Sequence, residues 1–119
     1  MLVGNLFSFH LACVFLPTFI ASAFSAPTFK LSNGVLTAEA SRWFPKPTVT
    51  WMNQTGNVLN ANTSFTKTSA GIFSIISTLK PVQSSGAYSC RIENNLVIAF
   101  SDAAITGIMF SFVHQLRVK

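Results

Sequence analysis

The chain has 119 residues, half of them hydrophobic, and its 8 Lys and Arg outnumber 3 acids for a formal net charge of +5. That length holds one domain and no second core, and a composition so apolar, with only 9% charged residues, excludes intrinsic disorder. The cations are scattered singly from Lys30 to Lys119, without a basic run or aromatic-basic interleaving, so they read as solvated surface charge and exclude a nucleic-acid footprint.

No charged side chain precedes Lys30, and residues 6–26 are almost wholly apolar. Residues 1–25 therefore read as an apolar leader. A secretory signal fits, with Ala21-Ser22-Ala23 or Ala23-Phe24-Ser25 as the small cleavage residues. An uncleaved anchor also fits, because about 20 residues suffice to span a bilayer. The lack of Lys or Arg before the run, and Pro17 within it, leave open a third reading: a stretch that is not a native leader.

Residues 26–107 read in periods of two, the signature of strands with one buried face. Residues 28–31 make a short first strand closed by Ser32-Asn33-Gly34. Leu36, Ala38 and Ala40 then alternate with Val35, Thr37 and Glu39. Pro45 and Pro47 break the chain before the strand ending in Trp51, and residues 53–62 form a polar connection containing Gly56. A β-branched, aromatic-rich run over 72–79 stops at Pro81. Ser84-Ser85-Gly86 leads into a strand on which Tyr88, Cys90 and Ile92 share a face, and Glu93-Asn94-Asn95 turns into the strand over 96–100. Some seven short strands at this spacing, with no helical pattern, predict an all-β sandwich.

Residues 108–119 are expected to be a short tail. The apolar part, 108–113, gives way to His114, Gln115, Arg117 and Lys119. Six residues reach about 20 Å as a strand against a hydrocarbon core of about 30 Å, so they make no anchor. The last strand is expected to end near Ile105, with the remainder poorly packed and β-prone.

Three landmarks distinguish an immunoglobulin-like sandwich from other β-sandwiches. Trp51 sits mid-strand where the buried tryptophan of the third strand belongs. Tyr88 stands two residues before Cys90, the spacing of a tyrosine corner, and a Gly-containing turn lies just upstream. The partner cysteine should lie on the second strand, but residues 36–40 contain none, and Ala38 has the face and register of the missing residue. The other cysteine, Cys13, lies in the leader. No disulfide is expected, and Cys90 reads as an unpaired, buried thiol.

The stretches AEASRWFPKPTVTW (38–51) and YSCRIEN (88–94) resemble the constant-type immunoglobulin domain of the B-seven and butyrophilin co-signalling ligands. The resemblance runs over roughly residues 23–107 and includes Asn62-Thr63-Ser64-Phe65. It also includes Ala23-Phe24-Ser25-Ala26-Pro27, which resembles the joint after a variable domain. It implies a constant-type fold, a cell-surface receptor on T cells as partner, and an extracellular place, secreted or on the external side of the plasma membrane. It further implies a cis peptide bond at Phe44-Pro45. Three features depart from the family pattern: no variable domain lies upstream, Ala38 stands at a cysteine position, and no membrane-spanning helix follows Gly107.

Nothing marks catalysis. Glu39, Glu93 and Asp102 are far apart, His10 and His114 lie near opposite ends, and no metal-ligand spacing or phosphate loop occurs. No enzyme activity, cofactor, nucleic acid or small-molecule substrate is therefore expected. Two sequons, Asn53-Gln54-Thr55 and Asn62-Thr63-Ser64, are glycosylation candidates in a secreted chain. An immune co-signalling ligand is the favoured function. The alternative is a structural spacer or adhesion module, or a truncated family product, with no receptor of its own.

Overall fold

The computed structural model describes residues 24–107 and 109–119. Nine strands follow in order: β1 (Thr28–Ser32), β2 (Val35–Trp43), β3 (Thr48–Asn53), β4 (Val58–Leu59), β5 (Asn62–Lys67), β6 (Phe73–Leu79), β7 (Ser85–Glu93), β8 (Val97–Thr106) and β9 (Met109–Val118). They form two antiparallel sheets, β1-β2-β6-β5 and β4-β3-β7-β8-β9, with no helix among the described residues. The leader read over 1–25 falls outside the described residues except for Phe24 and Ser25, which belong to the sandwich.

Alternation in the sequence becomes alternation of burial. On β2, Leu36, Ala38 and Ala40 face inward, and on β7 Tyr88, Cys90 and Ile92 do the same from the opposite sheet. Between β1 and β2, Asn33 and Gly34 both take positive φ, 53° and 74°, in a two-residue turn. That geometry matches the right-handed twist of the hairpin, and Asn-Gly is its preferred dipeptide.

Strict alternation fails at one place on β2. Its register with β6 shifts between Ala40 and Trp43, and Arg42 in that interval has a φ of 62°. The extra residue turns Arg42 outward and Trp43 inward, so Trp43 is fully buried. Trp43 packs edge-on against Phe24 with ring centroids 4.9 Å apart, and its Nε1 donates to the Ser25 carbonyl at 2.9 Å. Ser25 is tied further, its N–H donating to the Ser41 carbonyl and its Oγ accepting from the Ser41 N–H.

The sequence reading is corrected in three places. There are nine strands where about seven were expected. The expected polar connection over 53–62 contains β4, which pairs through Trp51–Leu59 and Met52–Val58. The expected loose tail is β9, which matches β8 residue for residue from Thr106–Met109 to Val97–Val118, and β8 itself continues to Thr106. A ladder on β8 and ring contacts stabilise this segment: Phe112 lies edge-on to Phe29 of β1, with centroids 5.5 Å apart. The peptide bond at Phe44-Pro45 is cis as expected, and Lys80-Pro81 is cis too.

Candidate functional site

The landmark residues meet in the core. Trp51 and Cys90 are register partners on β3 and β7, both buried. Trp51 Nε1 donates to Ser77 Oγ at 2.8 Å, and Ser77 in turn shares a hydrogen bond with Thr63 Oγ1 at 2.8 Å. Ser77 is the cross-sheet partner that sequence reading missed; a lone serine in a β-branched run carries no signal of its own. Ala38, paired with Ser77 across β2 and β6, is buried in the same core as Cys90 but on the opposite sheet. Cys90 is free, and burial pushes its thiol up to about 12, so it stays protonated and unreactive at neutral pH. Tyr88 is buried, and its hydroxyl accepts from the Gln83 N–H at 2.9 Å, the tyrosine-corner contact.

The sequon residues sit apart from this core. Asn53 ends β3, and its Oδ1 accepts from the N–H and Oγ1 of Thr55 and from the Asn57 N–H, at 2.8–3.1 Å. That closes a tight side-chain turn over the sequon. Asn62 opens β5 and is exposed. Both border clefts that share Asn60 and Lys80.

Among the described residues no group of three His, Cys, Asp or Glu side chains could hold a metal ion. His114 lies on β9 against the Phe112 ring, and each acid is engaged separately. Glu39 pairs with Lys30 at 3.3 Å, and Asp102 accepts from Ser89 Oγ at 2.6 Å. Glu93 meets Lys119 at 2.6 Å and Arg91 at 3.8 Å. The hydrogen bond from Lys119 is the main cause that holds the Glu93 carboxyl below its ordinary range, helped by the charges of Lys119 and Arg91.

The five-stranded sheet has an outward face. Alternation from buried Trp51, Cys90 and Ala99 points Thr50, Met52, Arg91, Phe100, Val113 and Arg117 outward, and Val58 joins them beside Met52. The Arg117 guanidinium lies over the Phe100 ring, 5.3 Å from its centroid. Met, Arg and aromatic side chains, the types enriched in protein interfaces, share this face with Glu93 and Asp102.

Residues 29–99 match the family described as "Butyrophilin subfamily 3 member A2-like, Ig-C domain". The chain belongs to this family. As a butyrophilin-like Ig-C domain it is also similar to V-set domain-containing T-cell activation inhibitor 1 of Homo sapiens, 38% identical over 93 residues. The rat and mouse proteins of that name, from Rattus norvegicus and Mus musculus, match at the same identity and length. Each alignment covers 71% of this chain and 33% of the relative, so the chain spans about a third of the length of these relatives. A crystal structure of bovine butyrophilin matches with a TM-score of 0.49 and 19% identity, covering 77% of this chain and 42% of that one. Immunoglobulin domains of this type are typically non-enzymatic.

Proposed function

We propose that this chain is an extracellular immune co-signalling protein that modulates T-cell activation through a cell-surface receptor. The observation that carries the reading is the 38% identity to V-set domain-containing T-cell activation inhibitor 1 within a matched Ig-C family. The outer face of the five-stranded sheet is the surface offered to the receptor. Secretory entry through the apolar leader, and glycans on Asn53 and Asn62, belong to the same reading. Both asparagines border solvent-facing clefts.

Immunoglobulin sandwiches serve recognition and spacing alike, which supports a second reading. On that reading the domain is a spacer or adhesion module. One experiment separates the two. Full-length protein from mammalian cells is coated with an anti-receptor antibody on beads, and T-cell binding and cytokine release are measured beside Phe100→Asp and Val113→Asp variants. The co-signalling reading expects binding and a change in cytokine output that both variants reduce at least tenfold. Equal output with and without the chain leaves the spacer reading.

A further inference from the structure

Strand β9 has an open side. It stands last in the order of its sheet, and its register with β8 runs from end to end without a shift. The Lys119 N–H donates to the Leu96 carbonyl at 2.8 Å, one step beyond the Val97–Val118 pair. Hydrogen bonding alternates along an antiparallel ladder. The odd-numbered residues of β9 therefore bond to β8, while Phe110, Phe112, His114, Leu116 and Val118 turn their N–H and C=O groups away from it.

Exposed edges are normally blunted by shortness, proline, a bulge or an inward-pointing charge. β9 uses none of these. It is ten residues long, contains no Pro and keeps a continuous register. Its single formal charge, Arg117, points to the outer side, where the guanidinium lies over the Phe100 ring. The inward side chains along the edge are apolar and incompletely covered: Phe110, Phe112 and Leu116 are half-buried, and Val118 is 40% exposed. β9 also lies wholly beyond residues 29–99, the span shared with the Ig-C family.

We infer that β9 pairs antiparallel with β9 of a second copy, joining two sandwiches through one continuous sheet. Three observations choose a second copy. Length is the first: the other edge strands, β4, β1 and β5, have two, five and six residues, so within this chain β9 finds its full match in itself. The two-fold axis then closes the contact and leaves no open edge of this kind to propagate a fibre. Self-complementarity is the second. With His114 on the axis, Phe112 stands opposite Leu116 of the second copy and Phe110 opposite Val118. Every free N–H and C=O from Phe110 to Val118 then finds a partner, and the half-buried rings are covered. Charge is the third. Antiparallel pairing sets Arg117 opposite Ser111 and carries the two cationic ends apart, whereas a parallel pair would place like charges side by side. The copies run in opposite directions, and their outer faces stay uncovered. The inference is therefore separate from the receptor reading, and its test needs no T cell.

The test is sedimentation of the full-length chain over a range of concentrations, which is expected to show a monomer–dimer equilibrium. His114→Pro removes an N–H that faces the open edge and spares the ladder to β8. Leu116→Lys places an inward charge on the same edge. Each is expected to weaken the dimer roughly tenfold or more, while Cys90 stays closed to thiol reagent as the sign of a folded domain. Opposed residues in a hydrogen-bonded antiparallel pair have Cα atoms about 5.5 Å apart, within disulfide range. In a Cys13→Ser background, His114→Cys copies should therefore link under mild oxidation, and Met109→Cys copies should not. A chain that stays monomeric throughout would overturn the inference. So would a dimer that both edge variants leave intact, or an edge that takes up a foreign strand peptide but never its own copy.

Discussion

Strands β7 and β9 flank β8 and pair with it along their full lengths, nine residues on one side and ten on the other. Their side chains fare differently. On β7 the inward residues Tyr88, Cys90 and Ile92 are buried, whereas β9 buries none of its own, and Phe110, Phe112 and Leu116 reach only intermediate exposure. Pairing and burial are therefore separate achievements. β7 lies between β3 and β8 with the other sheet in front of it; β9 lies at the edge and reaches that sheet where Phe112 touches Phe29 on β1. Inward residues on β7 should thus dominate stability, and residues on β9 should contribute according to whether they touch β1.

The largest expected effect sharpens the β7 side of this contrast. Ala38→Cys places a second thiol in the core that holds Cys90, on the facing sheet. Closing a loop of that size stabilises by about 2–4 kcal/mol and raises the melting temperature by roughly 10 °C or more. Calorimetry with and without reductant checks it, and a variant that keeps two titratable thiols would show that the two positions do not face each other.

A somewhat smaller effect comes from the thiol as it stands. Because burial raises the Cys90 pKa from 9.0 to about 12, the folded state keeps a proton that the unfolded state loses. The stability linked to this group is complete below pH about 9 and is lost as pH rises toward 12, about 2–3 kcal/mol of it by pH 11. Urea melts of the chain and of Cys90→Ala at pH 8 and pH 11 isolate the contribution, since the other titrating groups are common to both. A constant difference between the two proteins would contradict the burial.

The smallest effect tests β9 itself. Phe112→Ala removes the contact with Phe29 and should cost about 1–2 kcal/mol, less than the loss of a fully buried ring. Val113→Ser on the outer side of the same strand should stay within about 0.5 kcal/mol. If the two substitutions cost the same, β9 is held by its ladder alone.

Legibility in the sequence followed the range of the forces involved. The inward set on β2 and β7 was readable because a period of two is a property of neighbouring residues, and Trp51, Tyr88 and Cys90 carry fixed spacings within or between adjacent strands. Trp43 was not readable, because its burial depends on the bulge at Arg42, which inverts the phase of the strand. Its one local sign was a tryptophan out of phase with Leu36, Ala38 and Ala40. β9 was underestimated because its polar residues, His114, Gln115 and Arg117, break the apolar run without breaking the ladder. An edge strand tolerates them on either face, since both faces there meet solvent.

By itself the sequence determined an all-β sandwich of the immunoglobulin type, the residues of its central core and the unpaired state expected of Cys90, because alternation, turn dipeptides and short fixed spacings are local. Only the tertiary structure decided that β9 completes the second sheet with one side open, and that Ser77 receives the Trp51 indole. Those arrangements follow from how two twisted sheets stack and which strands fall at their edges.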